Sequence, residues 1–147
     1  MDSQFILKTD LRLSANPLLP MEKFEIGGFS SVRGYRENQI TSDNGIIASA
    51  ELRIPLTELK IPYLSEKTGE GLIQICPFFD FGHAWNTDGP DPENNTIYSS
   101  GLGLRWFVNK QINASIYWGW AWKDIKGATD YDLQDDGFHF QVSALLF

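Results

Sequence analysis

The side chains that serve most often as bases, nucleophiles and metal ligands are scarce in this sequence. Among its 147 residues, His83 and His139 are the two histidines, and Cys76 is the one cysteine. No nucleophile has a base partner at a recognisable spacing. One cysteine can form neither a disulfide framework nor a multi-cysteine metal site. The sequence therefore predicts that the protein is not an enzyme and that it has neither a metal site nor a cofactor.

The other residues that could take part in catalysis or binding have simpler explanations. The carboxylates of Asp10, Glu51 and Asp80 fall in rows of polar residues at alternate positions, where they are ordinary in barrel interiors. Gly101 and Gly103 fall inside a predicted strand, which argues against a phosphate-binding loop. The sequence has 12 Lys and Arg against 19 Asp and Glu, a net charge of −7. This balance argues against nucleic-acid binding, because no basic stripe is available for phosphates.

Alternation of apolar and polar residues predicts the elements that carry these side chains. Phe5, Leu7, Leu11 and Leu13 share one face of the first segment, and the residues between them are mostly polar. Five later segments repeat the pattern, so the sequence predicts an all-β, antiparallel fold of about six strands. The predicted strands are Phe5–Ser14, Ile46–Leu56, Leu72–Trp85, Thr96–Val108, Ile112–Lys123 and Gly137–Phe147. Strands that cross a membrane at a tilt need about 9–11 residues.

Periodicity alone leaves two architectures open, a membrane-spanning β-barrel and a soluble sandwich or lipocalin-like barrel. Connections that alternate in length favour the membrane barrel: residues 108–111 form a short turn, whereas residues 86–95 and 124–136 form long polar loops. The connection over residues 57–71 departs from this alternation. No stretch of about 18 apolar residues provides a transmembrane helix. The first residues do not resemble a signal peptide, which suggests a fragment of a longer protein or a truncated gene product.

Residues 16–44 connect the first two strands and are too apolar for an ordinary exposed loop. They include Leu18, Leu19, Phe24, Ile26, Phe29, Val32 and Tyr35, and such clustered apolar surface is normally buried. In a barrel, this predicts that the loop folds into the lumen. Arg33 would then need a partner, because a guanidinium cannot escape its charge by losing a proton. Glu51 and Asp80 are the candidates, and the alternative is that Arg33 is simply solvated.

Three motifs in this order resemble a known family. The segment from Phe24 to Asn38 contains FEIGG and SVRGYREN, in which Val32, Arg33, Gly34 and Tyr35 form a VRGY tetrapeptide. It is followed by ELR at residues 51–53 and by PFFDFG at residues 77–82. Together they resemble the sixth extracellular loop and the thirteenth strand of two-partner secretion transporters (TpsB, the haemolysin secretion/activation family). These transporters belong to a superfamily of insertases and translocators that carry periplasmic POTRA domains.

The resemblance covers nearly the whole chain and implies a fold, a site and a function. Residues 1–147 would be the C-terminal part of a sixteen-stranded barrel in the outer membrane of a Gram-negative bacterium, with residues 16–44 as its in-folded loop. Arg33 would bind Asp80, with Glu51 as a second partner. Phe147 resembles the terminal aromatic residue that the barrel assembly machinery recognises. The complete barrel, in contact with outer-membrane lipid, would export a TpsA-like secreted partner protein.

The family's POTRA domains and its first ten strands have no counterpart in this sequence. Six strands leave two open edges, so the chain alone is expected to need further strands or self-association before it transports anything. Two other functions remain open. A related insertase, which folds other barrels into the membrane, shares the tetrapeptide. A passive porin or a structural barrel would have no use for the Arg33 motif.

Overall fold

The computed structural model describes residues 2–123, 125 and 136–145, and within them the chain is all-β, as predicted. Its strands are β1 (Gln4–Arg12), β2 (Phe24–Ile26), β3 (Ile40–Ser42), β4 (Asn44–Glu58), β5 (Leu72–Trp85), β6 (Thr96–Phe107), β7 (Ile112–Ala121) and β8 (Phe138–Ala144). A short 3-10 turn covers Pro20–Glu22. Most of the predicted acidic loop at residues 124–136, and the terminal Phe147, lie outside the described residues.

The six predicted strands form one antiparallel sheet in the order β1-β4-β5-β6-β7-β8. Each of these six strands pairs with the strand before it and the strand after it in this order. The pairing places Ser49 opposite Asp80, and Asp80 opposite Ser99. Register slips between Pro55 and Thr57, where proline has no N–H to donate to the ladder. No helix in the described part of the chain is long and apolar enough to cross a membrane.

Several strand ends differ from the prediction, and a hydrogen bond explains the first of these differences. β1 ends at Arg12, because the backbone N–H of Ser14 turns to the side chain of Asn44, with a nitrogen–oxygen distance of 2.6 Å. β4 begins at Asn44, two residues earlier than predicted, and continues to Glu58. β7 ends at Ala121 rather than at Lys123.

The sheet has two chemically different faces. The exposed face carries large apolar side chains that nothing in the described chain covers. They are Phe5, Leu7, Leu11, Leu52, Phe79, Tyr98, Leu102, Leu104, Ile116, Trp118, Trp120, Phe138, Phe140 and Val142. The opposite face, here called the covered face, carries Glu51, Cys76, Asp80, Tyr117 and His139, all of them buried. Such an inversion, with apolar residues outside and polar residues inside, is typical of membrane barrels.

The connection between β1 and β4 shields the covered face. Within it, β2 and β3 form a two-stranded antiparallel sheet that the sequence did not predict. Its apolar residues join those of the wall in a core of Phe24, Ile26, Val32, Tyr35, Ile40, Ile47, Ala84 and Ile97. The expectation that Leu19 is buried was wrong, since 68% of its surface is exposed. Leu19 directly precedes the 3-10 turn, in which no residue is buried.

Candidate functional site

The period of two in β4 and β5 brings three polar side chains to one place on the covered face. Ser49 and Glu51 are two residues apart on β4, so they point to the same side. Asp80 lies directly opposite Ser49 on β5. Above these three side chains lies Arg33, carried by the connection between β2 and β3.

Arg33 donates three hydrogen bonds to Asp80. Its Nε donates to Oδ2 at 2.8 Å, and its Nη2 donates to Oδ1 at 2.8 Å. The backbone N–H of Arg33 also donates to Oδ2, at 3.0 Å. The first two bonds form the bidentate fork that suits a planar guanidinium and a carboxylate. Asp80 has no exposed surface, so this contact fixes both the side chain and the backbone of the loop.

Glu51 and Ser49 complete the polar partners of the guanidinium. Arg33 Nη1 donates to Glu51 Oε2 at 2.6 Å, and Nη2 donates to Ser49 Oγ at 3.1 Å. Ser49 in turn donates to Asp80 Oδ1 at 2.6 Å. The other oxygen of Glu51 accepts from Arg53 Nε at 2.8 Å. The structure thus brings together the three charged residues that the sequence singled out.

Two aromatic rings accompany the guanidinium. Its central carbon lies 3.7 Å from the ring centroid of Phe78 and 4.7 Å from that of Tyr117. Such cation–π contacts are strongest where water is excluded, and Arg33 is only 7% exposed. Sequence reasoning missed both rings. Each of these aromatic residues stands in an otherwise polar row of its strand, and this position could have indicated that it lies on the covered face.

The environment of Arg33 keeps it charged. Burial by itself lowers the pKa of the guanidinium, but the hydrogen bonds and charges of Asp80 and Glu51 outweigh this effect and raise the pKa above its usual value. Removal of one partner from a buried ion pair typically costs about 3–5 kcal/mol, because the remaining charge is left uncompensated. The cluster therefore favours one position of the loop over any displaced position.

The other three residues of the tetrapeptide also contact the wall or approach it closely. Val32 is fully buried and lies against Gly82, where an added Cβ would come within 2.9 Å of the valine side chain. The hydroxyl of Tyr35 donates to the carbonyl oxygen of Tyr98 at 3.0 Å and accepts the N–H of Lys123 at 3.1 Å. Gly34 has a φ of 91°, a conformation that favours glycine.

Asp43 and Asn44 tie the loop to its neighbours at the end of the sheet where β4 begins. Asp43 accepts the N–H groups of Leu18 at 2.9 Å and of Thr87 at 3.1 Å. These two bonds lower the pKa of the Asp43 carboxyl, although its burial acts in the opposite direction. Asn44 donates to the hydroxyl of Thr87 at 2.9 Å.

The arrangement is suited to holding a loop rather than to breaking a bond. The polar side chains that surround Arg33 form their hydrogen bonds with Arg33 or with one another. His83 lies on the exposed-face row of β5, where it bonds to Thr96 and stacks on Trp85. Phe147, the predicted assembly signal, lies outside the described residues. The geometry thus gathers Val32, Arg33, Gly34, Tyr35, Glu51 and Asp80 into one docking site.

Comparison with known proteins agrees with this geometry at the level of a superfamily. No curated protein matches the chain. Residues 3–144, nearly the whole sequence, match the Omp85 superfamily domain. Members of this superfamily handle protein substrates at the bacterial outer membrane, as transporters or insertases rather than as enzymes. The chain therefore belongs to the Omp85 superfamily.

Proposed function

We propose that the chain is the C-terminal barrel portion of an outer-membrane transporter that exports a partner protein by two-partner secretion. Residues 16–44 are the in-folded loop of this transporter, and the covered face of the sheet is the wall of its lumen. The loop, docked through Arg33, anchors or gates the passage. A secreted TpsA-like protein is the cargo, and export proceeds without catalysis at any bond.

The observation that carries this proposal is the docking of Arg33. A buried guanidinium with two carboxylates and two rings is a costly arrangement that a passive pore does not need. The residues that flank the tetrapeptide, together with the motif at residues 77–82, resemble the secretion branch of the superfamily. They favour a secretion transporter over an insertase.

The exposed face supports a location in the outer membrane. Its apolar side chains extend over all six strands of the sheet, and Trp118 and Trp120 lie in the same row of β7. Outer-membrane lipid is the partner that matches such a surface. We further propose that Phe147 is read by the barrel assembly machinery when the transporter is inserted.

Depletion of the protein from its host distinguishes the proposed function from its rivals. Loss of one secreted protein from the medium, with other outer-membrane proteins at normal levels, is the result expected for a secretion transporter. General loss of outer-membrane proteins would contradict the proposal and indicate an insertase. Unchanged secretion together with a steady conductance in planar bilayers would indicate a porin.

Arg33→Ala in the full-length protein tests the role of the loop itself. The change leaves Asp80 and Glu51 buried without their shared cation, so the loop should leave its site and secretion should stop. The variant should still insert, because none of the six sheet strands is altered. Heat-modifiable gel mobility checks insertion, and the amount of secreted partner checks transport. Normal secretion by an inserted variant would refute the role assigned to Arg33.

A further inference from the structure

His139 lies on β8 and has no part in the ion-pair cluster, yet its ring reaches the tip of the loop. Its Nε2 accepts the backbone N–H of Gly34, with a nitrogen–nitrogen distance of 3.1 Å. The ring is buried, with 7% of the residue exposed, and Phe29 from the loop lies 6.3 Å away between ring centroids. This contact joins the last strand of the described sheet to the residue that follows Arg33.

The backbone around this bond leaves little freedom for adjustment. A Cβ added to Gly119 would lie 2.7 Å from the nitrogen of Gly34, and one added to Gly137 would collide with the carbonyl oxygen of Gly119. The N–H of Gly119 donates to the carbonyl oxygen of Gly137 at 2.9 Å. Three backbone segments, one from the loop, one from β7 and one directly before β8, therefore meet without intervening side chains. Gly34 is buried, and its N–H donates to His139.

We propose that His139 is a positioning residue that holds the loop tip against the last two strands, and that docking therefore requires an uncharged imidazole. The proposal rests on the function assigned to the docked loop. Arg33 attaches the loop to β4 and β5, whereas His139 attaches it to β8, at the far side of the sheet. Because the two attachments involve different strands, the position of the loop depends on how these strands are arranged.

Protonation of His139 would abolish its contact with Gly34. In the charged imidazole both nitrogens are donors, so Nε2 could no longer accept the Gly34 N–H. The charged groups that act on the ring are Glu37 and Arg33 from the loop and Asp80 from β5. Tyr117 faces it from β7, as its direct partner in the ladder. Docking should therefore weaken as the pH falls through the range in which histidine takes up a proton, near about pH 6.5 for an exposed ring.

A cysteine introduced at position 99, on the covered face, can report whether the loop is docked. Ser99 is fully buried on the covered face opposite Asp80, and its hydroxyl has no hydrogen-bond partner among the described residues. Ser99→Cys is therefore a mild change, and Cys76→Ser removes the native thiol. The rate at which N-ethylmaleimide labels the thiol introduced at position 99 in the full-length, membrane-inserted protein measures loss of docking. Arg33→Ala sets the rate for the undocked loop.

His139→Leu should raise the labelling rate about tenfold, because it leaves a buried N–H without an acceptor. His139→Gln should label almost as slowly as the parent, since the amide oxygen can accept from Gly34 and does not titrate. His83→Gln is the matched control, and we expect no change from it. Between about pH 7.5 and 5.5, the labelling rate of the parent relative to His139→Gln should rise as the pH falls.

The outcomes separate this inference from the function on which it rests. Slow labelling of a folded His139→Leu variant, with fast labelling of Arg33→Ala, would overturn the role of His139 alone. Slow labelling of Arg33→Ala would overturn loop docking and with it the proposed function. If His139→Leu does not fold, the pH comparison decides, and a constant ratio of parent to His139→Gln would overturn the inference.

Discussion

At the scale of single residues, the docking site shows why arginine serves here better than another cation. The Arg33 side chain donates to Asp80, Glu51 and Ser49 through three different nitrogens, while Phe78 and Tyr117 lie close to its flat surface. Only a planar group with donors in several directions can make all these contacts together. An ammonium group is compact, and it cannot form a bidentate fork.

Arg33→Lys should therefore fail to dock the loop, although it keeps the positive charge. We expect at least about a tenfold loss of docking, because several buried acceptors lose their donor. Labelling of the Ser99→Cys thiol and the amount of secreted partner measure the effect. Arg53→Lys is the control, because Arg53 is more exposed and bonds to Glu51 through Nε. Equal secretion by both lysine variants would contradict the importance of the guanidinium shape.

A charge swap tests whether Arg33 and Asp80 act as a pair. Arg33→Asp alone places three carboxylates together, at positions 33, 51 and 80, and should abolish secretion. Combination with Asp80→Arg restores one ion pair and should recover secretion in part. Recovery should be incomplete, because Asp80 also accepts the backbone N–H of residue 33. Secretion assays on the two single variants and the double variant check this, and no recovery would leave the pairing without functional support.

At the scale of elements, small residues on the wall set how closely the loop approaches. An added Cβ would meet Phe24 at Gly45 and Ile26 at Gly82, and at Gly119 it would meet the backbone of the loop itself. Side chains can rotate away from an obstacle, whereas the backbone of a docked loop cannot. β7 therefore contributes to docking through a missing side chain.

Gly119→Ala should displace the loop while the sheet remains intact. The new methyl group would lie 2.7 Å from the nitrogen of Gly34 and 2.9 Å from the carbonyl carbon of Arg33. We expect the thiol introduced at position 99 to be labelled almost as fast as in Arg33→Ala. Asn113→Ala, on the same face of the same strand, should leave labelling slow. Slow labelling of an inserted Gly119→Ala variant would show that the loop can dock without this close approach.

At the scale of the whole molecule, the two faces of the sheet predict opposite responses to a new charge. Ile116 lies near the middle of β7 on the exposed face, and its direct partners in the ladder are Leu104 and Phe140. In lipid, Ile116→Arg should destabilise the barrel by about 2–4 kcal/mol, the cost of an arginine near the bilayer centre. Gln141→Arg, at a similar level on the opposite face, should cost little.

Unfolding in urea of the reconstituted full-length protein, followed by tryptophan fluorescence, measures both variants. A large loss from Ile116→Arg with a small loss from Gln141→Arg is expected if the exposed face contacts lipid. Equal effects would argue that this face is covered by protein rather than by lipid. The comparison tests membrane location without reference to secretion.

Period-two alternation was enough to predict six strands and to place Glu51 and Asp80 on one face. A strand forces alternate side chains to opposite sides, so face assignment follows from the sequence alone. The motifs around Arg33 were also specific enough to suggest its two carboxylate partners. The sequence could not predict β2 and β3, because two strands of three residues are too short for a detectable period.

The remaining partners of the loop were decided by the tertiary structure. Phe78, Tyr117 and His139 come from three different strands, and their contacts with residues 33 and 34 depend on strand register and on the path of the loop. Neither quantity is encoded in a local pattern. The sequence alone was enough to predict the six strands of the large sheet and their faces, and to name Glu51 and Asp80 as candidate partners of the Arg33 cation. Only the folded chain determined which rings and which backbone groups close around those ions, because these contacts join residues up to 105 positions apart.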